Sequence, residues 1–225
     1  APKYYYHIMN RNGEQYAIRM IDCPDKYPST FEGVISLLED VGALAVKQSA
    51  GEHGDGFFKL SYKEGKYYIN HDEATPEAII AKLKGLTCFY NITEFLTMHD
   101  DLRHIYPGSV NTIRVMVLNP TGHDPYIANA YMRIGTGSTK MTDNIGYGGV
   151  FAKVDLETGR YYGAEQLKNH VIVPCPNHPD TGVFIEGYLP EWDKVKEYLT
   201  DICSYFGQLE YLGFDVAISN EGIRI

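Results

Sequence analysis

Apolar and polar residues alternate along most of this chain, and helical spacing interrupts that alternation in only three places. KYYYHIM and EQYAIRMI flank Asn10-Arg11-Asn12-Gly13, a turn with the Asn-Gly signal, so residues 3–22 are expected to form a hairpin. After the loop PDKYPST, Phe31, Val34, Ile35, Leu38 and Val41 form a helical stripe that ends at Gly42. Ser29 and Glu32 stand at capping-box spacing in front of it. Strands ALAVKQ, FFKLSYK and KYYIN follow. A second helix is expected from the N-cap and N1 pair Thr75-Pro76 to Gly85. Strands set between helices in this way predict an α+β unit with an antiparallel sheet.

Beyond TCFYNITEFL (87–96), read as a buried strand leading into a connector, alternation is clear in SVNTIRVMVL and YIANAYMRIG. Ile113, Val115 and Val117 share one face and leave Arg114 on the other. Ala128, Ala130, Met132 and Ile134 leave Asn129, Tyr131 and Arg133 opposite. Two arginines on the polar faces of neighbouring strands are expected to converge on one patch. EWDKVKEYLTDICSYFG, behind Pro190, is the third helix, with Trp192, Val195, Leu199, Ile202 and Phe206 at core spacing. YLGFDVAISNEGIRI reads as a closing hairpin with Asp215 turned away from Phe214, Val216 and Ile218.

A length of 225 residues allows one large domain or two small ones. The net charge of −9, with no basic block, argues against a nucleic-acid partner. No apolar run approaches the ~20 residues that span a bilayer, so no membrane association is expected. Cys23, Cys88, Cys175 and Cys203 are too scattered for a disulfide framework, which fits a cytoplasmic location.

The candidate chemistry begins at AVKQSAGEHGDGF (45–57), where Lys47 ends a strand and Gly51, Gly54 and Gly56 follow. Glycines let backbone N–H groups approach an anion closely, so such a loop can fold over phosphates that the lysine neutralises. A surface hairpin with a glycine-rich tip satisfies the same local pattern. The P-loop of many NTPases is excluded, because no G-K-[ST] follows the glycines. A second glycine-rich loop, DNIGYGG, occupies 143–149. Cys175-Pro-Asn-His178 lacks the second ligand pair that a zinc site requires.

In order, VKQSAGEHGDGF, ITEFLTMHDDLRHIYPGSVNTIRVMVL, MRIGTG with DNIGYGGVFAKVDLETG, and LGFDVAISNEGIRI resemble the ATP-grasp superfamily. Within it they resemble the sugar-transfer-associated group found near polysaccharide genes, across about residues 28–225. The resemblance implies two α+β subdomains with mainly antiparallel sheets gripping ATP. Residues 1–93 would form the smaller, lid subdomain and 94–225 the larger. It places Lys47 on the nucleotide phosphates, the loop of Gly51, Gly54 and Gly56 over them, and Glu94, Phe95 and Leu96 at the adenine hinge. His99 would stand near the ribose. Arg114 and Arg133 would face the transferring phosphoryl group, Asn144 the phosphates or metal, and Asp215 would bind Mg²⁺.

In the family the last strand continues into a Glu-x-Asn pair of metal ligands. This chain reaches Ile225 where that pair would begin and opens on Ala1-Pro2. Both features are expected of a segment of a larger polypeptide, and they leave the activity of this stretch by itself open. The implied reaction is ligation driven by ATP and Mg²⁺. A small carboxylate becomes an acyl phosphate and is captured by an amine or a sugar-linked acceptor, in polysaccharide or cell-surface glycan modification. Two alternatives stay open: a kinase of a small hydroxyl acceptor, and a nucleotide-binding domain without activity.

Overall fold

Asn12 and Gly13 both take positive φ, 56° and 86°, and their turn joins β1 (Tyr4–Arg11) to β2 (Glu14–Arg19) as the Asn-Gly pair predicts. This hairpin opens a computed structural model that describes residues 1–51, 56–139 and 141–225. The described chain divides into two units, Ala1–Leu96 and Thr97–Ile225.

In the first unit, α1 (Phe31–Val41) leads through Gly42 into β3 (Ala43–Gln48), then β4 (Phe58–Lys63), β5 (Lys66–Ile69) and β6 (Asp72–Ala74). α2 (Pro76–Lys84) and β7 (Tyr90–Glu94) complete it. Among the described residues its seven strands run β2-β1-β7-β3-β4-β5-β6, each antiparallel to its neighbour. Thr30, not Ser29, caps α1: its hydroxyl accepts from the Gly33 amide at 3.1 Å. Thr75 caps α2 by accepting from the Ala78 amide, with Pro76 next to it. Leu44, Val46, Leu60 and Ile92 are fully buried in one core with Val34 and Leu38 of α1 and Ile79 and Leu83 of α2. Period-2 alternation therefore turns Lys47 and Lys59 to the other face of the sheet.

The second unit comprises the one-turn α3 (Asp100–Arg103), β8 (Ile113–Leu118), β9 (Tyr126–Ile134), β10 (Val150–Val154) and β11 (Arg160–Lys168). It continues with β12 (Val171–Pro174), β13 (Gly187–Tyr188), α4 (Trp192–Tyr205), β14 (Tyr211–Ser219) and β15 (Gly222–Arg224). Among the described residues the strand order is β12-β11-β10-β9-β8-β14-β15, with β13 beside β11. Ile113, Val115, Val117, Met132 and Ile134 form a core with Trp192, Val195, Leu199 and Cys203 of α4. The buried stripe of α4 thus runs through Cys203, while Phe206, expected in the core, is 40% exposed. Strands β10 to β13 have no counterpart in the sequence reading. Their alternation is broken by a register shift between Phe151 and Lys153.

Candidate functional site

The pairing of β14, β8 and β9 sets three charged residues side by side. Asp215 stands directly across from Arg114, and Arg133 lies one position past Met132, which faces Ile113. Residues opposite each other in adjacent antiparallel strands share a face. All three therefore point away from the side that packs on α4. The outcome is a fork: Arg114 Nη1 and Arg133 Nη2 each lie 3.1 Å from the same oxygen, Asp215 Oδ1. The Arg133 side chain is 17% exposed, against 36% for Arg114 and 47% for Asp215. Arg133 is therefore the more fixed of the two cations.

Asp143 completes the arrangement from the second glycine-rich loop. Its Oδ2 lies 3.4 Å from Arg133 Nε and accepts from the Thr112 amide at 2.9 Å and from the Thr112 hydroxyl. The Thr112 hydroxyl oxygen in turn accepts from Arg133 Nε and Nη2, at 3.0 and 2.6 Å. The repulsion expected between two adjacent guanidinium groups is thus offset by Asp215 and Asp143. Asn144 Oδ1 accepts from the Gly146 amide at 2.8 Å and starts a 3₁₀ turn. Its carbonyl takes the Gly149 amide. A Cβ on Gly149 would stand 2.8 Å from the Asn144 carbonyl oxygen and 2.9 Å from that of Asp143, so only glycine lets this loop close. His99 heads α3, accepts at Nδ1 from the Asp101 amide, and donates its own amide to the Ile218 carbonyl of the strand that carries Asp215. His178, of the C-x-x-H motif, is 1% exposed, with Nε2 2.7 Å from the Gly135 carbonyl oxygen; it braces the loop that follows Arg133.

The remaining sequence candidates belong to the first unit. Lys47 Nζ lies 5.2 Å from the centre of the Tyr4 ring. On the same sheet face, Lys47 pairs in register with Asn91, whose Oδ1 is 2.8 Å from His7 Nδ1. Gly51 packs against Gln48. Gly56 has φ +72°, and a Cβ there would meet the Tyr90 hydroxyl at 2.5 Å. Gly54 lies outside the described residues. Glu94 Oε1 accepts from the Lys3 amide at 3.0 Å, and Phe95 and Leu96 follow it, half-buried.

One cation here escaped the sequence reading. Lys59, opposite Ala45, places Nζ 4.1 Å from the centre of the Phe95 ring. Burial, reinforced by Lys63, holds its ammonium below the ordinary lysine range. Neither Lys47 nor Lys59 has a carboxylate partner among the described residues. This face of the first unit therefore carries positive charge that a bound anion would balance. A lysine inside an alternating strand ordinarily reads as a solvated surface position, so nothing in the pattern singled out Lys59.

The donor set bears on a metal ion directly. Among the described residues no three His, Cys, Asp or Glu side chains gather into a cage. Asp215 supplies a hard carboxylate, whose Oδ1 both arginines hold. One carboxylate suits a Mg²⁺ whose other ligands are phosphate oxygens and water, as nucleotide-bound Mg²⁺ is commonly held. The residues fit such an ion and do not fit a metal held by protein alone.

Comparison with known proteins yields one finding. A family model described as sugar-transfer associated ATP-grasp matches residues 6–224. No curated protein and no solved structure matches the chain.

Proposed function

The chain belongs to the sugar-transfer-associated ATP-grasp family, and from that premise we propose that it is an ATP- and Mg²⁺-dependent carboxylate-amine ligase acting in glycan modification. Family membership supports an ATP-dependent enzyme of ligase type. The observation that carries the finer reading is the sharing of one carboxylate oxygen by Arg114 and Arg133. A terminal phosphate bears more charge than a carboxylate and offers three oxygens, so it competes with Asp215 for both guanidinium groups. Binding it would free Asp215 for a hard cation. Mg²⁺, when bound, would supply charge neutralisation for the phosphates, and Asp215 would hold it, with Asn144 at hand.

The reaction proceeds in two displacements. A substrate carboxylate oxygen attacks the γ-phosphorus and the bond to the β,γ-bridging oxygen breaks, giving an acyl phosphate and ADP. An amine then attacks the acyl carbon, phosphate leaves, and the nitrogen loses a proton. In both steps Arg114 and Arg133 face the charge that spreads over the phosphoryl oxygens, and such fixed donors usually supply the largest share of the acceleration. Thr112 and Asp143 hold Arg133 in place. Lys47, Lys59 and the glycine loop take the polyphosphate from the first unit, and Glu94 to Leu96 take the base.

The test is ADP release from Mg·ATP across panels of carboxylates and amines, followed by ¹⁸O labelling of the active carboxylate. Transfer of one ¹⁸O to inorganic phosphate is expected. ADP release with hydroxyl acceptors and no labelled phosphate would make the protein a kinase. No ADP release with any panel would remove the enzymatic reading.

A further inference from the structure

The face that carries the arginine fork continues across β9 to β12 as an unfilled groove. Its volume is about 490 Å³, inside the range of roughly 300–1,000 Å³ usual for small-molecule sites. Tyr131, Phe151, Ile145, Leu167 and Ile172 line it, and Lys153 stands at its border. Register links it to the fork: Asp215 faces Arg114, Arg114 faces Tyr131, and Tyr131 faces Lys153, while Arg133 faces Phe151. The Tyr131 and Phe151 rings meet edge to face, 6.4 Å between centres, and leave an aromatic floor. Ile172 is 57% exposed, an apolar cost that an occupant would relieve. Lys153 has no ion-pair partner among the described residues. It lies two strands from Arg114, a span of about 10 Å.

We propose that this groove is the subsite of the carboxylate substrate, and that it takes a ring-bearing diacid. One carboxylate sits at the arginine fork, the flat apolar ring lies on Tyr131 and Phe151, and the second acidic group reaches Lys153. This assignment rests on the ligase reading for the identity of the reacting carboxylate, but the groove and its binding can be measured without turnover. Mainly apolar walls favour an aryl or alicyclic body over a free sugar acid, whose hydroxyl groups would lose water without gaining partners.

The test uses the whole chain, without nucleotide, and calorimetric titration of 2,6-naphthalenedicarboxylate, acetate and glucuronate. The diacid should bind at least ten-fold tighter than either of the others. Ile172→Glu, at an exposed position that folding tolerates, should weaken the diacid about ten-fold. Lys153→Met should weaken the diacid several-fold and leave 2-naphthoate, its monoacid analogue, unchanged. Equal binding of acetate and diacid, tighter binding of glucuronate, or indifference to both substitutions would overturn the proposal. Displacement of the diacid by adenosine would also overturn it, because the groove would then be the base site. Mg·ATP affinity, titrated on the same samples, separates the two ideas. Diacid binding without ATP binding would retain the groove and remove the ligase reading, and the converse result would do the opposite.

Discussion

Arg114 and Arg133 share Asp215 but stand in different surroundings, so removing each should separate chemistry from folding in a different proportion. Arg133→Ala leaves Asp143, 13% exposed, with its bonds to Thr112 as its side-chain partners among the described residues. A stability loss of about 1–3 kcal/mol is expected in chemical denaturation, with turnover down by at least two orders of magnitude. Arg114→Ala breaks a pair that is more than a third exposed on both sides. It should cost less than about 1 kcal/mol while lowering turnover comparably. A loss of turnover that merely tracks stability across the two variants would assign the arginines to structure. Lys59 gives a pH signature. Burial lowers its folded value beneath the ordinary one of about 10.4, so in that interval the unfolded chain binds more protons than the folded one. The contribution to stability therefore rises with pH there. Urea unfolding of the parent chain and of Lys59→Met across the alkaline range below the ordinary lysine value should show a stability difference that shifts in favour of the parent as pH rises. At this scale, alternation made the shared facing of the two arginines and Asp215 legible, while the roles assigned to them came from the family resemblance. Thr112 and Lys59 were not, because their importance comes from neighbours brought in by other strands.

At the scale of elements, punctuation residues were the most readable feature. The Asn12-Gly13 turn, the Thr75-Pro76 start and the Gly42 stop all act where local chemistry puts them. The α1 cap moved by one residue, because Thr30 carries the extended backbone that an N-cap needs and its oxygen reaches the Gly33 amide. Thr30→Ala should accordingly cost about 1 kcal/mol, and Ser29→Ala much less. Strands β10 to β13 went unread since a bulge interrupts β10 and β11 and the edge strands are short. Three of them, β10, β11 and β12, build the proposed groove together with β9, so its location was invisible beforehand. The loop of Asp143 and Asn144 is the element on which the fork depends. Gly149→Ala, which presses a Cβ on two carbonyl oxygens, should reduce turnover well beyond its effect on the melting temperature. Equal proportional losses would mean that the loop serves only the fold.

For the whole molecule, membership of the ATP-grasp family and the α+β class follow from motifs that were already readable in order along the chain. Each unit, taken by itself, carries a cationic cluster. The first shows two lysines without carboxylate partners among the described residues, Lys47 over the Tyr4 ring and Lys59 over the Phe95 ring, and the second shows the fork on Asp215. Among the described residues no helix is long and apolar enough to cross a membrane. The proposed groove is the part least encoded in local sequence, because a surface made of alternate residues from four strands leaves no contiguous motif. The central proposal is that the arginine fork meets the terminal phosphate of ATP while Lys47 supports nucleotide affinity. It is tested most directly by calorimetric titration of Mg·ATP and Mg·ADP into the parent chain, Lys47→Met and Arg133→Ala. The parent should prefer ATP to ADP, Arg133→Ala should abolish that preference while keeping ADP affinity, and Lys47→Met should weaken both nucleotides at least ten-fold. Equal affinity of the parent for ATP and ADP, or an ATP preference that survives Arg133→Ala, would contradict the assignment of the fork to the γ-phosphate.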